Sequence, residues 1–113
     1  MKEEFLDYIE DIIEGMEDCL SFVKGMEYED FVKDKKTVYA VVRSLEIIGE
    51  ATKNIPDSVR NRYHSVSWRK MAGMRDKLIQ EYFGVDLRRV WKTAEEDIPE
   101  LKPQFEKIFH DLE

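Results

Sequence analysis

Few residues in this chain are suited to chemistry, and their spacing excludes most familiar centres. One cysteine, Cys19, and two distant histidines, His64 and His110, cannot assemble an ordinary zinc site. There is no Glu-x-x-His pair, so a di-iron carboxylate bundle is not expected, and neither a Walker loop nor a dinucleotide glycine fingerprint occurs. No serine-based triad can be argued, and no metal or cofactor is implied. What the sequence does concentrate is positive charge. Between Arg60 and Lys92 stand nine basic residues (Arg60, Arg62, Arg69, Lys70, Arg75, Lys77, Arg88, Arg89 and Lys92) against three acidic ones (Asp76, Glu81 and Asp86), a local balance of +6. Such a stretch is where a polyanion could dock, although basic residues alternating with apolar ones also mark the wet face of any helix.

The rest of the chain is acidic. The net charge is −7, so the residues outside that stretch sum to −13, and residues 1–30 alone hold eleven acids and two lysines. An evenly spread charge of this sign would argue against nucleic-acid binding; an acidic flank beside one basic region does not. At 113 residues the chain has the length of one domain, 1–113, and its thirteen aromatics can fill a core without disulfides. A single cysteine fits a reducing compartment. No apolar run approaches the ~20 residues of a membrane span, and charges stand where a signal peptide would be apolar, so a cytoplasmic location is expected.

The elements that must position the basic residues are helices. Phe5, Ile9, Ile12, Met16, Cys19 and Val23 step by three and four, widened by Leu6, Ile13 and Leu20, which predicts one amphipathic helix over Glu3 to Lys24 with Gly25 as its breaker. Glu27 to Lys33 is long enough for a single turn. Asp34 can cap a helix with Val38, Val41, Leu45, Ile48 and Thr52 inward, stopped by Pro56. After an irregular stretch through His64, Ser67 can cap a third helix carrying Met71, Met74, Leu78 and Tyr82, with Gly84 near its end. Asp86 can cap a fourth with Leu87, Val90, Trp91 and Ala94 on one side. Pro99 must then kink that helix or begin a last one carrying Leu101, Phe105, Ile108 and Leu112. Strand signals are absent, and the expected fold is all-α, an antiparallel bundle of four to five helices.

Two blocks carry a family resemblance. Val38 to Ala51, followed by Asn54-Ile55-Pro56, resembles the second helix of the HepT-like HEPN proteins. Trp68 to Ile79, then Glu81 to Asp86 and Val90-Trp91, resembles the family's signature helix and the start of the next. The blocks occur in the family's order and spacing and span nearly the whole chain. The resemblance implies a small helical bundle that dimerises. It also implies a metal-independent ribonuclease acting as a toxin beside a small MntA-like nucleotidyltransferase antitoxin.

In that family the signature is Arg, four to six residues, His, one residue, Tyr. Here Arg75 and Tyr82 take the outer positions, and Gln80 stands where the histidine belongs. Cleavage without metal must activate a ribose 2′-hydroxyl and protonate a leaving oxygen; imidazole can do either, and an amide does not titrate. A loss on the order of 10²–10⁴-fold follows for one missing acid or base. Arg75 offers a rigid fork of donors to a phosphorane. The resemblance makes Tyr82 the acceptor of AMP from the antitoxin, which would block the cleft with bulk and charge. On an ideal helix Arg75 and Tyr82 differ by about 20° in direction, whereas Gln80 lies about 140° from Arg75, so a shared site needs a loosened helix, another element or a second subunit.

Arg43, Arg69, Lys77, Arg88 and Arg89 are the candidates for RNA phosphate contacts. Arg43, with Glu46, could line the same cleft from the second-helix block. Three functions compete: the ribonuclease toxin, a non-catalytic HEPN module that binds nucleotide, RNA or protein, and a plain helical interaction protein.

Overall fold

The computed structural model describes residues 2–74 and 86–113, and every regular element among them is helical. Helix α1 (Lys2–Val23) buries Ile9, Ile12, Met16, Cys19 and Val23, the stripe its spacing predicts. It ends where Gly25 takes a φ of 78°, a left-handed conformation that costs glycine nothing. The single turn α2 (Tyr28–Lys33) is closed by a capping box, in which Asp30 Oδ2 accepts from the Glu27 amide at 2.9 Å while the Glu27 carboxylate accepts from the Asp30 amide.

Helix α3 (Lys35–Lys53) begins at Asp34, whose carboxylate accepts from the Thr37 amide at 3.0 Å and the Thr37 hydroxyl at 2.8 Å. Those bonds hold the Asp34 carboxyl below its ordinary pKa. Val38, Val41, Leu45, Ile48 and Thr52 are all buried, and the Thr52 hydroxyl is satisfied by the Ile48 carbonyl at 2.7 Å. Gly15 of α1 sits against α3 so closely that a Cβ there would lie 2.8 Å from Ile48 Cγ1 and 3.5 Å from the Ser44 carbonyl oxygen.

The stretch expected to be irregular as far as His64 instead contains α4 (Asp57–Arg62). Pro56, extended at ψ 155°, starts it, Asp57 stands in the positive first turn, and Val59 is its one buried residue. Its Arg60 reaches back to α3: Nε donates to the Ile55 carbonyl at 3.0 Å and a terminal nitrogen donates to the Thr52 carbonyl at 2.8 Å. Helix α5 (Trp68–Ala72) begins where expected, yet the Ser67 side chain makes no capping bond. Trp68 fixes the start, with Nε1 donating to the Tyr63 carbonyl at 3.0 Å and its ring edge-on to Phe105 at 5.4 Å.

After Asp86, whose Oδ1 accepts from the Arg89 amide at 3.1 Å, comes α6 (Leu87–Lys92). A π-helical turn (Thr93–Asp97) joins it without a break to α7 (Ile98–Leu112). Val90, Ala94 and Ile98 are each fully buried at steps of four and four. On an ideal α-helix the last would lie about 80° past the first; the wider π turn keeps all three inward. The same turn loosens the carbonyl of Glu95, against which the Pro99 ring would press in a regular α-helix. Pro99 stands in the first turn of that last helix, one of its two expected roles, and the π turn leads into the helix without a break.

Helix α1 packs against α3 and α7, α5 packs on α3, and α2 is held to α6 by Phe31 and Trp91, whose rings lie 5.1 Å apart. Among the described residues the all-helical expectation holds, and α4 is a short helix that the expectation lacked.

Candidate nucleic-acid interface

Helices α3, α5 and α6 and the π turn enclose a cavity of about 200 Å³. Leu45 of α3 and Met74, both buried, give it an apolar floor. Lys70 of α5, Arg89 and Lys92 of α6, and Thr93 and Asp97 at the two ends of the π turn make its walls. Lys70 Nζ lies 3.8 Å from Asp97, so one carboxylate faces three cations. Thr93 spends its hydroxyl hydrogen on the Arg89 carbonyl at 2.9 Å, which tightens the backbone that carries Arg89. Such a concavity favours an anion no wider than a phosphate and its sugar.

The sequence candidates separate in space. Arg89 lines this cavity. Arg88, its neighbour, points about 100° away on an α-helix; its guanidinium lies over the Tyr28 ring at 4.3 Å, on the side where α2 packs. Arg69 lines an adjoining shallow cleft with Val66, Ser67, Trp68, Lys70 and Gly73, so Lys70 borders both. Arg43 and Glu46 form an ion pair of 3.8 Å in a different groove, between α1 and α3, with Tyr8, Asp11, Ile47 and Glu50. They do not line the cavity; Leu45 is the α3 residue that does. Arg75, Lys77, Gln80 and Tyr82 lie outside the described residues. Met74 and Asp86, which flank them in sequence, are respectively a wall of the cavity and the cap of α6.

Not every residue of the basic stretch is available to a ligand. Arg60 is committed to the carbonyls of Thr52 and Ile55, and Arg62 rests over Tyr63 at 5.4 Å. Lys70 and Lys92, by contrast, count in the sequence only as members of the stretch, and Asp97 carried no signal. The spacing of Val90, Ala94 and Ile98 is the one sequence feature that could have announced the turn on which Thr93 and Asp97 stand. Among the described residues no cluster of histidine, cysteine and carboxylate side chains could hold a metal ion, and no helix is long and apolar enough to cross a membrane.

Comparison with known proteins identifies the family. Residues 12–108 match the family described as Ribonuclease HepT-like, and the chain belongs to that family. It is 55% identical over 108 residues to the "Probable ribonuclease HepT" of Thermococcus cleftensis, covering 96% of this chain and 98% of that protein. It is 51% identical over 112 residues, 99% of this chain and 93% of the other, to a "Putative RNase" of Methanocaldococcus jannaschii. A protein with the same style of name from Caldanaerobacter subterraneus is 52% identical over 101 residues, 89% of this chain and 90% of the relative. No solved structure matches the chain.

Proposed function

We propose that this chain is the ribonuclease of a toxin–antitoxin pair, active as a cytoplasmic homodimer and acting as one unit over residues 1–113. The observation that carries the reading is the family match over residues 12–108 together with Arg75 and Tyr82 at the family's signature positions. Arg75 stabilises the charge of the pentacoordinate phosphorus, since a guanidinium presents two donors to non-bridging oxygens at once. Gln80 holds the ribose hydroxyl or a phosphate oxygen by hydrogen bonds but moves no proton. Tyr82 accepts AMP from a nucleotidyltransferase antitoxin, which fills the cleft with negative charge. Arg69, Lys77 and Arg89 supply the surrounding phosphate contacts, and Arg88 and Arg43, which lie away from the cavity, serve more distant stretches of the strand.

Gln80 itself favours a second reading, a HEPN module that keeps the bundle and binds RNA, nucleotide or protein without cleaving. Cleavage of single-stranded RNA in the presence of chelator separates the two. On the first reading the parent protein cleaves slowly, Gln80→His accelerates it on the order of 10²–10⁴-fold, and Arg75→Ala abolishes what remains. Equal, strong cleavage by the parent and Gln80→His would show that position 80 is not the general base and would turn attention to His64. No cleavage by either would leave the binding module.

A further inference from the structure

We infer that the cavity between α3, α5 and the π turn is a phosphate subsite of the RNA strand, formed by Lys70, Arg89 and Lys92, which grips the backbone and does not read bases. The inference rests on the RNA-directed reading above and adds a location and a ligand chemistry to it. Three cations from two helices converge on one concavity, and Lys92 has no carboxylate partner among the described residues. Asp97 orients Lys70 at 3.8 Å. Leu45 and Met74 close the floor with apolar surface, so water there is displaced by the sugar edge of a nucleotide at little cost.

No aromatic ring lines the cavity among the described residues. Base recognition on a single strand depends on rings that stack, at about 1–3 kcal/mol per base. Lysine and arginine contacts to phosphate fix the strand without reading its sequence, so the contribution of this subsite is the same for every sequence.

The test is a fluorescence anisotropy titration of labelled poly(A) and poly(U) oligonucleotides on the full chain at several salt concentrations, with chelator. Lys92→Met and Lys70→Met should each lower affinity for both oligonucleotides alike and each reduce the log–log salt slope by about one. Lys107→Met, on the exposed side of α7, should change neither. Unaltered circular dichroism keeps the comparison between folded proteins, and Lys92→Glu offers a stronger change at the same exposed position. If the parent binds RNA and the Lys70 and Lys92 variants bind it equally well with the same slope, the subsite is wrong while the RNA reading stands. If the parent binds neither oligonucleotide, both fall together. Free AMP at matched ionic strength should not displace the strand; displacement that Lys92→Met removes would make this a mononucleotide pocket and overturn the inference.

Discussion

At the scale of single residues, the chain separates groups that are chemically armed from groups that are silenced. Cys19 belongs to the second kind. It is fully buried in the seam of α1, and burial, with the Asp18 carboxylate beside it, pushes the thiol up to about 12. Because the folded pKa lies above the unfolded value of ~8.5, the folded state holds its proton longer. The associated stability is complete below that unfolded value and is lost as pH rises toward about 12. A thiol reagent at pH 8 should leave Cys19 unlabelled in the native protein and label it fully in denaturant; rapid native labelling would show that α1 opens locally. Arg60 is silenced differently, by two carbonyls that a positive charge suits at a helix C-terminus. Arg60→Met should lower stability on the order of 1–2 kcal/mol in a denaturant titration and leave RNA affinity unchanged.

At the scale of elements, what holds the helices together is a few close approaches and caps. Gly15→Leu must displace Ile48 or spread α1 from α3, because even a Cβ would stand 2.8 Å from Ile48 Cγ1. A loss of about 1–3 kcal/mol is expected, read from the chemical denaturation midpoint. Asp34 adds a pH dependence. Its folded pKa is depressed by the Thr37 bonds, so the stabilisation is present above the ordinary carboxylate value of ~3.9 and disappears as pH falls through the folded value. In Asp34→Asn, which keeps an acceptor for the Thr37 amide, thermal melts should lose that part of the acid sensitivity. Much of this was legible in the sequence: steps of three and four placed α1 and α3, and Gly25, Asp34 and Asp86 marked boundaries that the structure keeps. Where the sequence misled, the physical reasons differ. Helix α4 buries only Val59, too little for a periodic signal. Ser67 has the chemistry of a cap, but the Trp68 ring and its Nε1 bond decide where α5 starts.

At the scale of the whole molecule, charge is segregated, and the candidate site was only half legible for that reason. The basic stretch shows in the sequence, but its division does not: Arg60 and Arg62 turn to the fold, Arg88 to Tyr28, and among the described residues Lys70, Arg89 and Lys92 meet in one cavity. Meetings of this kind depend on how α5 and α6 are set against α3, which no local spacing encodes. Charge reversal at Arg89 should therefore weaken RNA binding more than reversal at Lys2 or Lys53, with a shallower salt dependence in a mobility-shift titration. Tyr82→Glu, which adds negative charge as AMP would, should bind RNA less well while light scattering still reports a folded dimer. A monomer at micromolar concentration would instead remove the homodimer from the proposal.

The π turn makes an unusual forecast about deletions. Removing one residue from a helix ordinarily rotates everything beyond it by about 100°, which should unseat Ile108 if the cut is made at Glu106. At the exposed Glu95 the same cut takes away the surplus residue of the wide turn, leaving Val90, Ala94 and the shortened step to Ile98 on one regular face. The chain lacking Glu95 keeps the apolar register but sets Pro99 against a regular helical carbonyl, so it should melt below the parent, and the one lacking Glu106 further below still. What the first deletion sacrifices is the distance between Thr93 and Asp97 along the rim. On this account the extra residue makes room for Pro99 and sets the width of the cavity's rim.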